Sequence, residues 1–125
     1  MPVWLAVALG GAAGSVARWQ AGNFMRALWP GFPYGTLLVN VLGSFLIGFL
    51  AAWFAAREPA EWLRVGLMAG ILGGFTTFSA FSLDTLDLWR ASGLMALANI
   101  SLNLGLGLLA CMAGLYTARL FLPAS

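Results

Sequence analysis

Residues 73–82 read GGFTTFSAFS and lie inside a hydrophobic run long enough to cross a membrane. Two adjacent glycines, four hydroxyl residues and three phenylalanines are poor material for a plain lipid-facing helix. Each glycine disfavours a helix interior by about 1 kcal/mol relative to alanine. Thr76, Thr77 and Ser79 can hydrogen-bond the backbone groups that a break would expose. The stretch therefore predicts a third helix broken near 73–77 into two half-helices. At membrane depth, such irregular backbone is tolerated only where protein, water or an ion satisfies it. Free carbonyls there suit a hard cation such as sodium, whereas N–H groups at the start of the following half-helix favour an anion.

The rest of the chain sets this stretch in a membrane. Of 125 residues, 62% are hydrophobic and 8% charged, against roughly 25% charged residues in an average soluble domain. Hydropathy gives an all-α membrane protein of one domain, residues 1–125, with spans near 3–26, 36–56, 62–89 and 93–122. The second span rises about 31 Å as a helix, which fits a hydrocarbon core of about 30 Å. Trp19, Trp29, Trp53, Trp62 and Trp89 fall near the proposed ends, where an indole sits well among headgroups. No basic residue precedes the first apolar stretch, so that stretch reads as a span and not as a secretory signal.

The charges leave orientation open. Arg57, Arg64 and Arg119 fall on one side of a four-span arrangement, and Arg18, Arg26 and Arg90 on the other. The positive-inside rule gives no preference. Either the charges are too few to decide, or both orientations insert and pair as an antiparallel homodimer. Gly10 and Gly14, then Gly66, Gly70 and Gly74, make GxxxG spacings, with Ser44 and Gly48 a weaker version. These favour close helix contacts without naming a partner.

The intramembrane polar residues carry the functional question. Asn40 and Asn103 each read alone as an interhelical hydrogen bond; together with a hydroxyl-rich third segment they suggest a polar track, and an amide offers N–H groups without fixed charge. Arg18 is costly at the membrane centre, so it snorkels, caps helix ends, or serves a vestibule that attracts anions. Asp84 is a second vestibule candidate, and Asp87 reads as a solvated end charge. Phe78 and Phe81 share one helix face. Ordinary packing explains such a pair, yet the positive edge of an aromatic ring also suits a small anion.

The single cysteine, Cys111, excludes an internal disulfide, and the absence of histidine removes the usual transition-metal clusters. A hydrolase using Ser79 or Ser82 would lack both a histidine and a lysine to activate the nucleophile, so no enzyme is expected.

With GGAAGSVARW, GTLLVNVLGSFLIG, GGFTTFSAFSLD and NISLNLG in place, the chain resembles, over essentially its whole length, the Fluc (CrcB) family of fluoride channels. The resemblance implies four transmembrane helices per subunit and an antiparallel, dual-topology homodimer with two fluoride pathways. It implies passive efflux of cytoplasmic fluoride, and so fluoride resistance, from a bacterial or archaeal plasma (inner) membrane crossed several times. Phe78, Phe81, Asn40 and Asn103 would line the pathway, with Thr77 and Ser82 beside them. Gly73 and Thr76 would hold a structural sodium ion through backbone carbonyls of both subunits. No nucleic-acid partner is implied. Ala80, Asp84 and Gly107 depart from a common threonine, glutamate and serine, which puts individual roles at those positions in doubt. A small multidrug exporter has a similar size, but its resemblance would require a carboxylate in the first helix, and this first span contains no acid.

Overall fold

The computed structural model describes residues 1–123, so the last two residues of the single-domain expectation lie outside it. Among the described residues the regular structure is entirely helical. It comprises α1 (Val3–Leu28), α2 (Tyr34–Arg57), α3 (Glu61–Val65), a π-helical segment (Gly66–Leu72), α4 (Gly73–Phe75), α5 (Phe78–Ala91) and α6 (Gly93–Phe121). α2 begins earlier than hydropathy alone suggested, at the residue after Pro33, and ends where Glu58 turns left-handed with φ 46°. Ser92 starts α6 by accepting a hydrogen bond from the Met95 N–H at 3.3 Å, which satisfies one of the free donors of the first turn.

Three stretches, Tyr34–Arg57, Glu61–Ala91 and Gly93–Phe121, are long and apolar enough to cross a membrane. α1 is comparably long, over the first span expected near 3–26, but it does not meet that standard of apolarity. Arg18, Gln20, Asn23 and Arg26 crowd its second half, with Ser15 just before it, and shorten its apolar run. Only 17% of the most apolar window of α2, and 22% of those of the other two stretches, is buried within the chain. The outward leucines, phenylalanines and tryptophans therefore face lipid or another polypeptide.

Glycine sets how the helices meet. A Cβ on Gly10 would lie 2.6 Å from the Gly66 carbonyl oxygen, and one on Gly14 would overlap the Ile71 carbonyl oxygen. From the opposite side, a Cβ on Gly74 would stand 2.6 Å from the Gly11 carbonyl oxygen. The GxxxG faces of α1 and of the third span thus close against each other, backbone on backbone. α2 and α6 form the second close pair: a Cβ on Gly48 would overlap the Cys111 carbonyl, and one on Gly114 the Phe45 carbonyl. Along α2, Asn40, Ser44 and Gly48 meet Asn103, Gly107 and Cys111 of α6 in the same order. The two helices therefore run parallel, and their asparagines come level.

Gly14→Ala is expected to lower the thermal unfolding transition in detergent, because overpacking against backbone costs about 1–3 kcal/mol. Gly11→Ala, whose added carbon would find its nearest neighbour 4.0 Å away, should leave the transition unchanged or raise it. Equal melting of the two variants would refute the contact.

Candidate functional site

Helical hydrogen bonding stops after Phe75, and Thr76 (ψ 157°) and Thr77 (φ −154°, ψ 122°) are extended before α5 begins at Phe78. Thr76 stays tied to the preceding turn, because its N–H and its hydroxyl both donate to the Leu72 carbonyl, at 3.0 and 2.9 Å. Thr77 caps α5: its hydroxyl oxygen accepts from the Ala80 N–H at 3.1 Å.

The Thr77 backbone is held from α2. Its N–H donates to Asn40 Oδ1 at 2.8 Å, and Asn40 Nδ2 donates to the Thr77 carbonyl at 3.1 Å. Asn40 thus pairs with Thr77 as a neighbouring strand would. That pairing fixes the amide orientation, since a backbone N–H can only donate. The second Asn40 N–H then reaches Asn103 Oδ1 at 3.0 Å. Asn103 Nδ2 donates to the Asn99 carbonyl at 2.9 Å and to Asn99 Oδ1 at 3.0 Å. Asn99 Nδ2 donates to Thr85 Oγ1 at 3.0 Å, and the Thr85 hydroxyl donates to the Phe81 carbonyl at 2.7 Å. A one-way relay therefore runs from the break to the first turns of α5.

Asn99 and Thr85 were not singled out from sequence. The signal was there in the spacing of Asn99 and Asn103, four residues apart on one helix face. Every buried side-chain nitrogen and oxygen among the described residues has a partner.

A groove of about 310 Å³ opens beside the break, lined by Asn40, Gly43, Ser44, Gly73, Thr76, Thr77, Phe78, Phe81, Asn103 and apolar neighbours. None of its lining residues is charged. Phe78 and Phe81 meet at 5.5 Å between centroids with planes inclined by 52°. Phe81 is 8% exposed and Phe78 is 76% exposed. Ser82 does not join this lining; its hydroxyl donates to the Phe78 carbonyl at 2.9 Å.

Arg18 and Asp84 lie on the other side of Thr77. They line a cavity of about 260 Å³ together with Ser15, Arg26, Thr36 and Ala80, and Thr77 lines both spaces. Arg18 Nε donates to the Gly74 carbonyl at 3.0 Å, one of the acceptors freed where α4 ends. Asp84 Oδ2 accepts from the Thr36 hydroxyl at 2.7 Å. Arg18 is thus a helix-end cap that also stands at a cavity wall.

Two features bear on the carbonyls expected to hold a cation. The Thr76 carbonyl accepts no hydrogen bond among the described residues. The Gly73 carbonyl loses its helical donor, the Thr77 N–H, to Asn40.

Residues 5–115 match the family described as "CrcB-like protein, Camphor Resistance (CrcB)". The chain belongs to the CrcB family. Among its curated CrcB relatives, a Caulobacter vibrioides protein is 49% identical over 119 residues, covering 92% of this chain and 94% of its own length. A Rhizobium meliloti protein is 50% identical over 118 residues, with 92% and 94% covered. A Paracoccus denitrificans protein is 48% identical over 117 residues, with 93% and 94% covered. Each of these relatives is named a fluoride-specific ion channel. The apolar spans and the membership of this channel family make the chain a multi-pass membrane protein.

Asn40→Leu removes every partner of the Thr77 backbone, and one unsatisfied buried group costs about 1–3 kcal/mol. The variant should melt well below the parent protein in detergent. Ser82→Ala, which loses only a bond back to a helical carbonyl, should stay within about 0.5 kcal/mol of it. The reverse order of melting would remove Asn40 from its role at the break.

Proposed function

We propose that this protein is a fluoride-selective channel that lets cytoplasmic fluoride leave the cell passively and so confers fluoride resistance. The observation that carries the reading is the uncharged groove at the break, walled by two phenylalanines and the Asn40, Thr77 and Asn103 polar groups. Conduction needs binding strong enough to admit an ion and weak enough to release it. Ring edges and neutral dipoles meet both conditions, whereas an arginine in the groove would hold the anion too tightly. The names of the relatives supply the ion.

In this reading Arg18 gathers anions in the cavity on one side of Thr77, and the pathway passes Phe81 and Phe78 on the other. Asp84 restrains the vestibule by its bond to Thr36. Ser82 steadies the Phe78 carbonyl beside the pathway. Fluoride that enters as neutral hydrogen fluoride from acid surroundings dissociates inside, and its gradient then drives the anion out through the plasma (inner) membrane.

The third span is one membrane crossing broken at Thr76 and Thr77, and α1 is the fourth crossing. Two copies pair with opposite topology: the arginines divide three against three, and a partner would cover the exposed Phe78 ring. The Gly73 and Thr76 carbonyls fit a structural sodium ion, because both lack a helical donor and neutral oxygens suit a hard cation. One copy offers too few such oxygens, and a symmetric pair doubles the set. When bound, the ion supplies fixed positive charge that braces the ends of the break.

Liposomes holding the purified protein should release fluoride rapidly and chloride hardly at all. Equal release of both anions would defeat the selectivity, and no fluoride release with verified incorporation would defeat the channel. Phe81→Ile is expected to suppress fluoride release while the protein stays assembled; unchanged release would take Phe81 out of the pathway. Single cysteines placed at residues 58–60, between α2 and α3, in a Cys111→Ser background should label partly from each side of the membrane, and labelling from one side alone would rule out dual topology.

A further inference from the structure

The relay beyond the groove has a bearing on anion binding that its lining alone does not reveal. Both hydrogens of the Asn40 amide and the nitrogen of the Asn103 amide are directed at protein acceptors. Asn103 lines the groove, whereas Asn99 and Thr85 do not. Asn99 is fully buried, and it accepts from Asn103 Nδ2 twice, through its backbone carbonyl and through Oδ1. Its own amide is oriented in turn by Thr85 Oγ1, which accepts from Asn99 Nδ2 because the Thr85 hydrogen is engaged with the Phe81 carbonyl.

We propose that Asn99 and Thr85 are positioning residues that hold the Asn103 amide hydrogens away from the groove and thereby keep its grip on fluoride weak. Asn99 Oδ1 competes with the anion for the same N–H group. Without that competitor, Asn103 can turn a strong donor into an otherwise weakly binding groove, where a buried anion forms charge-assisted hydrogen bonds. Thr85 acts one step further back, by denying Asn99 the freedom to rotate. Neither residue needs to touch the ion. The relay also ties the Phe81 backbone to the same network, so ring and amide are set together.

The inference rests on the reading of the protein as a fluoride channel, and the test separates the two. Thr85→Val keeps the side-chain shape and removes the oxygen that orients Asn99. Fluoride release from liposomes is measured across fluoride concentrations for the parent protein, Thr85→Val and Thr85→Ser, with melting of each followed in detergent. Thr85→Val should lower the half-saturating fluoride concentration about three- to tenfold, the worth of one net hydrogen bond, and also lower the maximal rate. Thr85→Ser, which restores the oxygen, should match the parent. Asn99→Ala should shift half-saturation in the same direction as Thr85→Val. Unchanged half-saturation in Thr85→Val beside a conducting parent would overturn the positioning role while sparing the channel. Loss of flux accompanied by loss of melting in both Thr85 variants would make the role purely structural and overturn it too. A parent that releases no fluoride would fell the channel reading, and the inference with it.

Discussion

Backbone that leaves a helix at membrane depth must find hydrogen-bond partners, and at Thr77 that requirement is met by one side chain. Asn40 accepts from the Thr77 N–H and donates to its carbonyl, as a paired strand would. Because of that pairing, Thr76 and Thr77 can stay extended between two helical pieces. The same pairing withdraws the Thr77 N–H from the Gly73 carbonyl. It also fixes the direction of every amide that follows in the relay through Asn103, Asn99 and Thr85. The polar groups around the groove are thus consequences of how one exposed peptide unit is satisfied.

Asn40 reaches Thr77 where α2 closes on the break, and a Cβ on Gly43 there would overlap the Thr76 side chain. Gly10 and Gly14 let α1 close on the π-helical segment and α4, which brings Arg18 to the Gly74 carbonyl. Gly48 and Gly114 let α2 and α6 run side by side in parallel, which brings Asn40 level with Asn103. Without a hydrophobic force between helices in lipid, such close packing is a main source of association. Small residues therefore position the polar ones.

Hydropathy and glycine content were enough to read helical spans, and the composition of residues 73–82 was enough to single out the stretch that the structure lines with an uncharged groove. Other features needed the packed structure. Arg18 in the second half of α1 could be read as a cap or as a vestibule residue, and the structure makes it a cap on the Gly74 carbonyl that also lines a cavity. Thr77 and Ser82 were both expected beside the pathway, and the structure shows Thr77 in the groove wall and the Ser82 hydroxyl donating to the Phe78 carbonyl. Asn99 and Thr85 were overlooked because a polar side chain in a membrane helix has no identifiable role until its partner is known.

The sequence by itself determined that this chain is membrane-embedded and helical and that it lacks the residues for histidine-based chemistry, and it marked residues 73–82 as an unusual stretch of the third hydrophobic run. Those properties depend on composition and local propensity, which are already present in the order of residues. Only the tertiary structure decided that α2 and α6 are parallel, which acceptor each amide hydrogen meets, and that Thr77 stands between an uncharged groove and a cavity bearing Arg18 and Asp84. Hydrogen bonds are directional and operate over about 3 Å. Their partners are therefore chosen by packing that joins residues far apart in the chain.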